Sequence, residues 1–360
     1  MRGASLKHLS FRLHFINKMK YLYFSLVIVF CISCNSSLNK GDLATVLSKS
    51  ENIDEYLSSY ELRTDSISHP LAMLSFGEYV VIADDNPNHM LSIYNIKTCE
   101  VQHIIPKGHG TNELLDIQQL YHRDSLSFYA YDTFQRKLMI IGCHDGEKFA
   151  PLSEFSINDY LSFGIDDSLY VGCCVESENR YMVFNEKNKK RERFGDYEIF
   201  NLNPSDGKIL LLGMIVTNPS LKRFAWMSYY GLAWQIGDYQ DKKIVNTEIV
   251  ERPRRMGEKG QTVFNTNTVL GFVSISSDRE TIYALLSNKK IKEVLNDGEK
   301  ATMGNHIVLL DWDGVIKKCY NTKEDIKHIA YNADINSLIL LIDTPHGYIL
   351  KHYDYTKRDI

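Results

Sequence analysis

The 360-residue chain lacks the spacings by which catalytic and metal centres usually declare themselves in a sequence. It has no HExxH pair and no GxSxG elbow, so neither a zinc-protease helix nor an α/β-hydrolase nucleophile is written into one contiguous segment. Long helical patterns are scarce, which argues against a helix bundle. A cationic surface is missing as well. Without residues 1–33 the chain holds 36 Lys and Arg against 45 Asp and Glu, a net charge of −9, and phosphate binding depends on clustered cations. Nucleic acid is therefore not an expected partner. The basic run Lys187, Lys189, Lys190, Arg191 and Arg193 is broken by Glu192 and reads as a solvated hairpin end; Arg252, Arg254, Arg255 and Lys259 lie in a polar connection. Beyond residue 34 there are only five cysteines, Cys99, Cys143, Cys173, Cys174 and Cys319, none at metal-site spacing. An odd count leaves at least one free thiol, buried small hydrophobes are the default, and Cys143 with Cys173 or Cys174 is a conceivable bridge.

What the chain does carry begins near its start. Lys20, the apolar run Tyr21–Phe30 and the small-residue close at Ile32 and Ser33 have the layout of a secretory signal. The run is shorter than the about 20 apolar residues a spanning helix needs, and Asn35, Ser36 and Ser37 turn polar at once. Cys31-Ile32-Ser33-Cys34 resembles a bacterial lipobox, which makes Cys34 the expected site of lipid attachment. Met19 starts a complete signal, so residues 1–18 read as an upstream extension. The expected organisation is a signal peptide over 1–33, a lipidated linker over 34–50 and a folded domain over 51–360.

From about residue 70 one pattern recurs: an apolar strand, a polar turn, a second strand ending in an aromatic and Asp or Asn, then a charged turn. YVVIAD (79–84), SLSFYAYD (125–132), SLYVGCCV (168–175), RFAWMSYY (223–230), TIYALLS (281–287) and SLILLID (337–343) mark six such units, spaced about 35 to 55 residues apart. That period predicts an all-β, six-bladed β-propeller, because blades of a few strands bury both faces only against neighbours. The segment Tyr60–Ser66 is the expected outer strand that closes the last blade, and Asn52–Ser59 a short helical turn.

PKGHGTNELLDI (106–117), PSLKRFAWMSYYGLAWQIGDY (219–239), SSDRETIYALLSN (276–288) and IVLLDWDGVIKKCY (307–320) together resemble the TolB-like six-bladed propeller lipoproteins of Bacteroidetes, over about residues 50–356. The GxGxxE turn, Gly108, Gly110 and Glu113, and the DWDG strand end, Asp311–Gly314, are the more specific parts. The resemblance implies a propeller in the cell envelope with no catalytic residues to carry over, function in that family being generally unassigned. It also implies the periplasmic leaflet of the outer membrane, since Asn35–Lys40 contains no acid.

Gly108–Glu113 is read as a tight inter-blade turn rather than a phosphate cradle, because a strand follows it instead of a helix. Asp84, Asp85, Asn86, Asn88 and His89 offer oxygens for calcium but no calcium-loop spacing, and an Asx-rich turn accounts for them. No catalytic or metal-ligating residue is assigned. His109, Arg223, Tyr229, Tyr230, Trp312 and His346 are the ligand-binding candidates, expected at one rim of the central channel. The expected function is a monomeric, lipid-anchored binding or scaffolding propeller facing the periplasm, with a protein, glycan or small molecule at its rim. The alternative is a metal-dependent hydrolase or lactonase with its site on the channel.

Overall fold

Strands such as Tyr79–Asp84 are apolar at successive positions, not alternate ones, so both of their faces must be covered. The computed structural model shows how. It describes residues 43–60, 67–144, 148–158, 160–174, 178–252, 255–256, 263–264 and 266–355, within one compact unit spanning Leu43–Ile360. The signal segment, Cys34 and residues 61–66 lie outside the described residues.

Four separate four-stranded antiparallel sheets form blades 1 to 4, with inner strands Pro70–Phe76, Ile117–Asp124, Tyr160–Asp166 and Gly213–Asn218. Blades 5 and 6 are joined by one long strand, Ile316–Asn332. Its first part pairs with Gly304–Asp311 as the outer strand of blade 5, and its second part pairs with Ser337–Thr344 as the inner strand of blade 6. The inner strand of blade 5 is Phe272–Ser277.

Six buried apolar clusters sit between the blades, one for each seam. Val81 and Ala83 point into the seam with blade 2, whereas Val80 and Ile82 point into the seam with blade 6. Alternation within one strand therefore feeds two different cores, which is why the sequence shows unbroken apolar runs. Side-chain to backbone hydrogen bonds tie the inner strands of neighbours: Thr217 Oγ1 donates to Ile165 O (2.9 Å), Tyr331 N to Ser276 Oγ (2.8 Å), and Tyr121 OH to Phe163 O (2.5 Å).

The ring closes through the N-terminus, three residues earlier than expected. Leu57–Ser59 pairs antiparallel with Tyr353–Lys351 as the outer strand of blade 6, and Tyr60 N donates to Leu350 O (3.0 Å). Just upstream, the single turn Asp54–Tyr56 is helical, Ile53 is buried among blade 5 and 6 residues, and Glu51–Asn52 pairs with Tyr320–Asn321. Packing begins before the expected domain start. The helix Leu43–Ser48 buries Leu43 in the seam between blades 4 and 5, so the latter part of the expected linker belongs to the fold. Helix Pro204–Leu210, capped by the Asn203 side chain on Asp206 N (2.9 Å), takes up the first residues of the run KILLLGMIV (208–216) before the inner strand of blade 4 begins at Gly213.

Candidate functional site

The six inner strands run in the same direction, which gives the ring an upper face where they begin and a lower face where they end. They enclose a channel of about 1150 Å3 lined from every blade. Half-buried aliphatic side chains make its wall: Leu71 and Met73 from blade 1, Leu120 from blade 2, Met214 and Val216 from blade 4, Val273 and Ile275 from blade 5. Tyr229 lines the channel too, and burial pushes its hydroxyl up to about 12, so it stays a neutral donor at physiological pH.

Polar groups gather at the lower mouth, where several already serve the fold. The Asp278 carboxylate accepts from Tyr283 OH (2.8 Å) and from the amides of Glu280 and Thr281 (2.7 Å each). Asp334 Oδ2 accepts from Gly77 N (2.6 Å) across the seam between blades 6 and 1. Arg279, Glu280 and His122 remain exposed at that mouth. Among the described residues, no three His, Cys, Asp or Glu side chains converge as metal ligands.

The sequence candidates divide between the two faces. His109 (in the blade 1 to 2 connection), Tyr229 and Tyr230 (between the second and third strands of blade 4) and His346 (in the corresponding turn of blade 6) belong to the upper face. Arg223 and Trp312 belong to the lower face and meet there: Arg223 Nη1 donates to Trp312 O (2.7 Å) and to Asp313 Oδ1 (2.6 Å). Trp312 itself is 2 % exposed in the seam between blades 4 and 5 and donates Nε1 to Asp278 O (3.1 Å). The six thus do not share one rim, and of them the channel wall includes Tyr229. The channel aliphatics were missed because their signal, half-burial on an inner strand, depends on which strand of a blade is innermost.

The other motifs resolve into packing. Gly110 N donates to Glu113 Oε2 (2.7 Å) and Gly108 N to Leu114 O (3.0 Å), so the glycine turn closes on its own acid; a Cβ on Gly108 would collide with that carboxylate. Asp84 is fully buried at the end of its strand and its carboxylate accepts the amides of Ser68 and His69. Asp132 does the same one blade on, accepting from Leu115 N (2.6 Å) and Gln135 N (2.7 Å). In the Asx-rich turn, Asp85 pairs with Lys107 and Asn86 Oδ1 accepts from Asn88 N (3.0 Å). None of the five cysteines past residue 34 is in a disulfide; Cys173, Cys174 and Cys319 are buried as expected, while Cys99 is exposed.

Comparison with known proteins agrees with this ring. A family model described as TolB-like 6-blade propeller-like matches residues 48–334. The chain belongs to that family. Among solved structures, a DUF4221 family member from Bacteroides vulgatus ATCC 8482 is 12 % identical, covering 82 % of this chain and 95 % of its own, with a TM-score of 0.51. The Cps50 (Swd1) β-propeller domain from Myceliophteria thermophila is 10 % identical, covering 79 % and 96 % respectively, with a TM-score of 0.43. No curated protein matches the sequence. At 12 % identity the likeness to the DUF4221 structure speaks for the fold alone.

Proposed function

We propose that this propeller is a binding module of the cell envelope, tethered through a lipid on Cys34, that takes its ligand at the central channel rather than transforming it. The observation that carries this reading is the channel itself: about 1150 Å3, walled by half-buried aliphatic side chains from inner strands. Such a wall gains from desolvating an apolar part of a ligand or partner, and the exposed polar groups at the lower mouth suit its polar end. The lipobox-like Cys31–Cys34, with no acid in Asn35–Lys40, supports a periplasm-facing tether in the outer membrane, and the net charge of −9 argues against nucleic acid as the ligand. A monomer fits the use of each blade face inside the ring.

Two substitutions test the two halves of this reading. Cys34→Ser should move the chain from the membrane to the soluble fraction; unchanged membrane association defeats the tether. Met214→Trp should narrow the channel; because Met214 also packs against the cluster between blades 4 and 5, its unfolding midpoint is measured beside the parent's and the comparison is made on folded chain. An envelope component retained by the parent chain and lost by Met214→Trp supports channel binding, and equal retention by both chains defeats it.

A further inference from the structure

Arg180 is a buried cation with no carboxylate paired to it among the described residues. It lies in the seam between blades 3 and 4 and is 1 % exposed. Its guanidinium carbon sits 3.8 Å from the ring centre of Trp226, 4.5 Å from that of Phe200 and 4.9 Å from that of Tyr181. One nitrogen, Nη1, donates to Gln235 Oε1, which also accepts from Tyr181 OH (2.7 Å); Gln235 is held in turn by its donation to Thr247 Oγ1 (2.9 Å). The other two nitrogens, Nε and Nη2, have no oxygen acceptor among the described residues, the Cys173 thiol being a weak polar neighbour of the guanidinium. The indole Nε1 of Trp226, in the same cluster, is a further buried donor without an acceptor.

These two free nitrogens are not an arbitrary pair. Nε–H and Nη2–H point the same way along one edge of the guanidinium and form the fork that grips two oxygens of one oxyanion side by side. Arginine keeps its charge in any protein interior, and a buried charge left uncompensated is strongly unfavourable. The titratable neighbours do not supply the anion. Burial pushes the Cys173 thiol up although Arg180 pulls it back, and burial keeps the hydroxyls of Tyr181 and Tyr197 neutral. Rings hold the guanidinium in place and Gln235 fixes its rotation, so the unpaired edge is pre-organised.

We propose that the Arg180 fork is a receptor for a single carboxylate, a second ligand site separate from the channel. One negative charge balances one guanidinium, and the surrounding Trp226, Phe200 and Tyr181 rings suit an apolar substituent better than the higher charge of a phosphate. The cover over the site is the connection between blades 3 and 4. It carries Phe200, with left-handed backbone at Gly195 (φ +71°) and Asn201 (φ +63°) on either side of it. A carboxylate reaches the fork when that connection lifts.

Thermal unfolding of the purified full chain at constant ionic strength tests this, with acetate or inorganic phosphate replacing chloride. The midpoint should climb by about 2 °C or more for each tenfold rise in acetate above its Kd. Arg180→Met should lose the climb, and Arg180→Lys, which keeps the charge without the fork, should show most of that loss; if Arg180→Met fails to fold, Arg180→Lys carries the comparison. Glu176 lies outside the described residues, and Glu176→Gln should respond to acetate as the parent does. A parent chain flat in both anions overturns the proposal. So does a response to phosphate alone, an equal response in the Arg180 variants, or a response that emerges only in Glu176→Gln.

Discussion

Ile53→Ala tests whether the N-terminal clasp stabilises the whole ring or merely decorates its edge. Ile53 is fully buried in the cluster between blades 5 and 6, alongside Tyr320 and Tyr353, and its amide donates to Asn321 O (3.0 Å). The next residue reinforces the attachment, with Asp54 Oδ1 accepting from Thr322 Oγ1 (2.5 Å) and Lys323 N (3.1 Å). Truncating a buried isoleucine to alanine in a site that cannot collapse costs about 2 to 5 kcal/mol. For a domain of this size that corresponds to a fall of about 4 to 10 °C in the unfolding midpoint. The three tryptophans, Trp226, Trp234 and Trp312, are buried in the seams between blades 3 and 4 and between blades 4 and 5, so their fluorescence during a urea titration reports on seams other than the one that holds Ile53. Tyr56→Ala is the control: Tyr56 is 42 % exposed and meets Tyr353 only edge-on at 6.3 Å, so its loss should cost under about 1 kcal/mol. If Ile53→Ala lowers stability by no more than Tyr56→Ala does, the clasp does not support the ring and the reasoning fails.

Acid should weaken the seam between blades 6 and 1. Burial drives His328 down to about 4 while its Nε2 lies 3.1 Å from Pro70 O, so between pH 6.5 and 4 the unfolded chain takes up a proton that the folded chain refuses. Stability is full above pH 6.5 and falls by about 3 kcal/mol by pH 4; His328→Gln should flatten the urea-measured pH profile in that window, and an unchanged slope would refute the assignment. Asp84→Asn places an amide group against the amides of Ser68 and His69 and should cost about 1 to 3 kcal/mol by urea titration, while added calcium leaves the parent midpoint unmoved. Arg223→Ala removes a tie from blade 4 to blade 5 that is partly exposed, so a loss of about 1 kcal/mol is expected, with retention of any channel ligand in a pull-down unchanged.

The fold was legible because a propeller strand declares itself twice. YVVIAD and RFAWMSYY are apolar on both faces, and the Asp that ends the first of them is the residue that caps the loop beneath it. What escaped was long-range or local enough to be ambiguous. KILLLGMIV is strand-like after its first lysine, yet Asn203 and Pro204 start a helix that consumes its first residues before the strand begins at Gly213. The closing strand begins at Leu57, three residues before the expected Tyr60, because its register is set by Leu350–Tyr353, nearly the whole chain away. The candidate site was the least legible part. Aromatic and basic residues at turns draw attention, and Arg223 and Trp312 turned out to be seam fasteners, while plain residues such as Met214 and Ile275 line the channel. Arg180 gave no signal at all, since a lone arginine before a strand looks like any solvated one.

The pairing of Leu57–Ser59 with Gly347–Asp354 also sets a timetable. Leu57–Ser59 must wait for Lys351–Tyr353, which are made much later, and until they meet, the outer edge of blade 6 offers unpaired backbone to any other strand nearby. A chain in which Gly347–Asp354 has yet to pair is consequently aggregation-prone, and loss of that strand would be as damaging to folding as loss of the clasp itself.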